Sequence, residues 1–201
     1  MRRLSGFGGR WGGCSANRRL QCGGNGPPPA RFRLIRCRLL FNTLFVRPHK
    51  VDFSLTFHDN KTGHQDIVLR FAEQKWICDS YYFAIDSELL PDIEDERKIR
   101  AVLLRLHEQW LEAVCSLQVG ETANLPFDFS DQCTGWLRCT ATSNGYSVVQ
   151  GWSSVEGWSF SPSSIGGLMH KLEDFRADGA AVEVAINELQ AAIRESASRV
   201  A

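Results

Sequence analysis

Apolar and polar residues alternate from Asp52 to His58 (DFSLTFH), which places Phe53, Leu55 and Phe57 on one face at the period of a half-buried strand. Asp59 to Gly63 (DNKTG) has turn composition. Asp66 to Ala72 (DIVLRFA) then returns with Ile67, Leu69 and Phe71 on one face, so the pattern predicts a β-hairpin. The aromatic and β-branched run from Lys75 to Asp86 (KWICDSYYFAID) predicts a third strand.

Beyond Pro91 the period changes. Ile99, Val102, Leu103, Leu106, Trp110, Val114 and Leu117 recur at spacings of three and four, forming one apolar stripe on a helix of about five turns. Asp92 is the expected cap, Glu94, Asp95 and Glu96 suit the positive end of the helix, and Gly120 is the expected stop.

From Leu125 to Phe160 strand signals return. Asn144-Gly145 lies between two alternating runs, a hairpin signal, with Trp136 leading in and Val148 to Trp152 leading out. Gly-Trp-Ser occurs twice, at Gly151 and Gly157, with a turn or bulge expected between them. The three indoles Trp136, Trp152 and Trp158 are expected to pack between sheet and helix, an open stacking platform being the alternative. Gly157 to Ser164 (GWSFSPSS) predicts a last short strand, with Ser163 or Ser164 capping a helix over 164–175, and a final helix is expected over 180–197. This order predicts an α+β fold: an antiparallel sheet of about six strands packed against one long central helix, with one or two C-terminal helices.

Charge divides the chain. The formal net charge is zero, yet residues 1–50 carry eleven basic side chains and no acidic one, leaving residues 51–201 with 12 basic against 23 acidic groups, a net charge of −11. The domain expectation is a basic Gly/Arg/Pro-rich arm over 1–50 and a single acidic α+β domain over 51–201. Eight of the 17 glycines precede residue 27 and three prolines follow, so the arm is expected to be disordered or to precede the true start of translation, with Val46 or Val51 as a bacterial GTG start. A targeting segment and a nucleic-acid-binding arm are the alternatives; the glycines and prolines oppose the amphipathic helix of a transit peptide, and Leu39 to Phe45 is short and late for a secretory signal. No apolar run is long enough for a transmembrane span.

Of the seven cysteines, Cys78 and Cys115 sit in apolar contexts that suit buried thiols, while Cys133 and Cys139 are spaced too widely for a zinc knuckle and leave a hairpin disulfide open. There is no nucleophile elbow, phosphate loop, dinucleotide fingerprint or His-Glu-x-x-His motif, and no cofactor is expected. The remaining catalytic candidates are His170 with Asp174, one helical turn apart, acting on Ser161, Ser163 or Ser164 as a small hydrolase. His107 is expected at the border of the apolar stripe, in an ordinary hydrogen bond. His58 and His64 would hold a metal only if the first hairpin brought them together, and the acidic run Asp86 to Glu96 fits no calcium-loop spacing.

The hairpin, the Trp-bearing strand, the long helix, the paired hairpin GWLRCTATSNGYSVV and the segment WSFSPSSIGGLMHKLEDF together resemble the small bacterial immunity proteins of the wall-associated-protein type, over residues 51–176. The resemblance implies a cytoplasmic protein that binds and blocks a cognate toxin, often a nuclease with a basic surface, and that has no catalytic residue. Residues 177–197 lie beyond it. An acidic domain steers toward basic partners and away from membrane surfaces and nucleic acid. The function expected is stoichiometric protein binding, with Asp86, Glu88, Asp92, Glu94, Asp95 and Glu96 supplying steering and Trp152 and Trp158 serving as anchors. The hydrolase and the nucleic-acid arm are the alternatives.

Overall fold

The computed structural model describes residues 51–200, so the expectations for the basic arm lie outside the described residues. The fold is α+β and antiparallel, as the pattern predicts. Among the described residues, however, eight strands form two sheets rather than about six forming one.

The first sheet has the order β1-β2-β3, with β1 over Phe53–Phe57, β2 over Ile67–Phe71 and β3 over Gln74–Cys78. Its buried face carries Phe53, Leu55 and Phe57 opposite Phe71, Leu69 and Ile67. The third strand stops at Cys78, short of the expected Asp86. Asp66, one residue before β2, accepts bonds from both the Ser80 N–H and the Ser80 hydroxyl, each at 2.8 Å. That anchor turns the chain into a one-turn helix, α1 (Tyr81–Ala84).

The long helix α2 runs Glu96–Ser116, and its cap is Asp95, not Asp92; the Asp95 side chain accepts from the Arg97 N–H at 2.9 Å. A turn closed by Ile93 N–H to Leu90 O at 3.0 Å spans Leu90 to Ile93 and takes in Asp92, the expected cap. The apolar stripe from Ile99 to Val114 is buried as expected. Gly120 lies past the helix, in the turn that leads to β4 with φ 92°.

The second sheet is built on β4 (Thr122–Phe129), β5 (Thr134–Ala141) and β6 (Gly145–Ser153). Pro126 sits in β4 at the sheet edge, where its missing N–H costs least, and the register shifts between Pro126 and Asp128. The β5–β6 hairpin falls where expected, but neither Asn144 nor Gly145 has positive φ. Instead the Thr142 hydroxyl accepts from the Gly145 N–H at 3.1 Å and closes the turn. Gly145 has a different duty, since a Cβ there would lie 2.1 Å from the Val184 carbonyl oxygen.

Three later expectations are corrected. Gly157–Ser159 is a 3₁₀ turn rather than a strand. The helix expected over 164–175 shrinks to one turn, α3 (Leu168–Lys171), with no side-chain cap, because Ser163 is bonded elsewhere. The expected helix over 180–197 begins as a strand: β8 (Val182–Ala185) and the short β7 (Arg176–Ala177) both pair with β6, and α4 covers Ile186–Val200. The alternation in Val182-Glu183-Val184-Ala185 favours the strand, which β6 then completes.

Helix α4 packs on α2 and on β1. Ser196 of α4 binds the edge of β1, accepting from the Leu55 N–H at 2.8 Å with its oxygen 3.2 Å from Leu55 O, and so covers polar groups that an edge strand leaves open. The two sheets and α2 share one apolar cluster running from Phe53 through Leu106 to Val148. Trp136 is fully buried against Phe160, ring centroids 6.0 Å apart, and donates to the Ser153 hydroxyl at 2.8 Å. Cys78 and Cys139 are buried free thiols, and burial pushes both up, Cys139 to about 12. Cys115 is exposed rather than buried, and Cys133 and Cys139 form no disulfide.

Candidate functional site

Residues 82–88 and the loop 154–165 meet on the surface and bring together three of the predicted binding residues, Asp86, Glu88 and Trp158. The loop is tied down along its length. Val155 O accepts from the Thr134 hydroxyl at 2.7 Å, and the Gly157 N–H donates to Ser130 O at 2.7 Å. The Phe160 ring packs 5.6 Å from Phe129, and Pro162 O accepts from Gln109 Nε2 at 3.0 Å. Ser163 is fixed by Asp86, and the Ile165 N–H donates to Gln109 Oε1 at 2.8 Å. Gly157 is the pivot, because a Cβ would stand 2.9 Å from Ser130 O and 3.1 Å from the Tyr82 ring. Held between these anchors, Trp158 remains 67% exposed.

A cleft of about 500 Å³ opens beside it, lined among others by Tyr82, Ile85, Asp86, Glu88 and Trp158 and by the hydroxyls of Ser87, Ser159, Ser161 and Ser164. Ile85 is 50% exposed at its wall. The Tyr82 hydroxyl donates to Asp131, and burial with that carboxylate pushes the phenol up to about 12. Asp86 is only 2% exposed, so it does not act as the surface carboxylate expected of it. Its Oδ1 accepts from Glu88 N–H, Leu89 N–H and the Ser163 hydroxyl at 3.0, 2.9 and 2.8 Å, and its Oδ2 from the Ser163 N–H at 2.9 Å. Burial removes it from long-range steering and makes it the floor of the cleft and the clasp between the two chain segments.

A second cleft of about 540 Å³ lies between the β1–β2 turn and the start of α2, where Tyr81, Glu94, Asp95 and Glu96 line it with Asp59, Lys61 and His64. Thus α1 and its flank contribute Tyr82 and Ile85 to one cleft and Tyr81 and Ala84 to the other. Asp95 is committed to its helix cap, and the Arg97 guanidinium beside it holds its carboxyl below the usual range. Glu88, Asp92 and Glu94 are exposed. Trp152 lines neither cleft; it lies on β6 opposite Arg176, whose guanidinium stands 4.8 Å over its ring.

The hydrolase constellation is not assembled. Asp174 accepts from both the N–H and the hydroxyl of Ser154, which hold its carboxyl below the usual range. His170 is exposed in a different cleft, beside Ser163 and Ser164, and the Ser163 hydroxyl is given to Asp86. His58 bonds Thr56 at 3.0 Å and His64 bonds Asp79 at 3.1 Å, so the hairpin does not join them. No group of three or more His, Cys, Asp or Glu arranged to hold a metal occurs among the described residues. His107 lies in the core rather than at its border, with Nδ1 2.7 Å from Leu103 O and Nε2 2.8 Å from the Ser196 hydroxyl. A carbonyl only accepts, so Nδ1 carries the proton and Nε2 accepts from Ser196. Burial lowers the ring to about 4.

Tyr81 and Ile85 escaped the sequence pattern, because extending β3 to Asp86 gave half of the side chains in that run a buried face. The pair Asp79-Ser80, polar and turn-forming in mid-run, is the signal that would have ended the strand. No helix among the described residues is long and apolar enough to cross a membrane. No family model, curated protein or solved structure matches the chain.

Proposed function

We propose that residues 51–200 act by stoichiometric protein binding, in the manner of an immunity protein or inhibitor, and engage a basic partner such as a nuclease toxin in the cytoplasm. One observation carries this reading: a loop pinned at both ends presents Trp158 at 67% exposure beside the half-exposed Ile85 and the carboxylate of Glu88. Exposed aromatic anchors on rigid segments are what interface hot spots are made of, since little ordering remains to oppose binding. The domain's net charge of −11 adds steering toward cations. Glu88, Asp92 and Glu94 are the steering residues of this proposal, and Trp158 is the anchor.

No observation favours the hydrolase, which lacks an assembled relay. The nucleic-acid reading rests on residues outside the described ones.

The test is affinity capture by the full chain at low and high salt, against the variant Glu88→Lys/Glu94→Lys, which spares the cap at Asp95. A basic protein retained at one-to-one stoichiometry, released by salt and lost in the variant, is the expected result. Capture that ignores both the charge reversal and the salt would overturn the proposal.

A further inference from the structure

We infer that the cleft beside Trp158 is a guanidinium site, which takes one arginine side chain of the partner; this rests on the partner-binding reading of the same face. The floor of the cleft is a buried carboxylate. Asp86 receives three hydrogen bonds on Oδ1 and one on Oδ2, and a carboxylate oxygen offers about two acceptor directions, so Oδ2 keeps capacity. Every donor to it is a neutral N–H or O–H, and among the described residues no Lys, Arg or His pairs with it. A buried negative charge that no cation offsets, lining a cleft, attracts one more strongly than the same charge on open surface.

Two further groups select the kind of cation. Trp158 offers an open indole face, and Glu88 adds a second, exposed carboxylate on the same lining. A guanidinium stacks flat on an indole while its fork bonds carboxylates, and it sheds water more readily than an ammonium. A sugar would also stack on Trp158 and bond the loop serines, but it would leave both carboxylates without a counter-charge.

The test uses the full chain with ¹⁵N-labelled tryptophan and follows the Trp158 indole N–H during titration with N-acetyl-arginine amide, its neutral isostere N-acetyl-citrulline amide, and glucose. The expected result is a saturable shift with the arginine probe, roughly tenfold weaker with citrulline and roughly tenfold weaker in Glu88→Gln. Equal response to arginine and citrulline, a preference for glucose, or no saturable shift overturns the site. Arginine binding without any captured basic protein would keep the site and remove the inhibitor reading. Capture of a basic protein with no arginine response would do the reverse.

Discussion

The carboxylate of Asp86 clasps the N–H and hydroxyl of Ser163 across 77 residues of chain, joining the end of α1 to the loop that presents Trp158. Removing the clasp leaves buried donors without a partner. Asp86→Ala is expected to cost about 3 kcal/mol in urea denaturation, and Ser163→Ala about 1 kcal/mol, because only one bond is lost there. Equal costs for the two would mean that Asp86 is not the hub.

His107 makes folding sensitive to acid. Its folded value of about 4 lies below the 6.5 of a free imidazole, so the unfolded chain binds the extra proton first. Stability therefore falls as pH drops from 6.5 toward 4, by a total of about 3 kcal/mol. His107→Leu should flatten this part of the pH profile, with Ser196 still able to donate to Leu55 O. An unchanged slope in the variant would place the proton elsewhere.

Asp128 works in the opposite direction. Burial, with the nearby charge of Asp79, raises its carboxyl above the ordinary value even though the Cys78 thiol donates to it. Its contribution is present below the unfolded pKa and is lost as pH rises through the folded one. Asp128→Asn is expected to raise the thermal midpoint at pH 7, with a gain that shrinks under acidic conditions. A lower midpoint at pH 7 would show that the charged form is needed.

The strands and helix whose residues face one partner throughout were legible, and those fixed by a distant group were not. The alternation of Phe53, Leu55 and Phe57 and the stripe from Ile99 to Val114 carry their own period. The end of β3 depends on Asp66 holding Ser80, and β8 exists because β6 accepts it; neither cause is local. The same holds for the candidate site. Trp158 was visible as an aromatic among glycines and serines, but its exposure comes from Gly157 pressed on Ser130 and Tyr82. Asp86 read as one member of an acidic run, whereas Ser163 and the N–H groups of Glu88 and Leu89 make it a buried clasp.

Gly145 gives a test of the sheet. The Val184 oxygen would stand 2.1 Å from a Cβ, so Gly145→Ala must push β8 off β6. A loss of roughly 3 kcal/mol is expected, with faster amide exchange confined to Val182–Ala185 and the first turn of α4. Wild-type exchange in that segment would contradict the close approach.

The central claim is that Trp158 is an anchor for a partner rather than a stray surface ring. The most direct measurement compares the full chain with Trp158→Ala and Trp152→Ala, the second an exposed indole outside both clefts, for thermal stability and for capture of a basic protein at low salt. Both variants are expected to fold with stability within about 0.5 kcal/mol of the parent, and only Trp158→Ala should lose the captured protein. Equal capture by Trp158→Ala and Trp152→Ala would contradict the account.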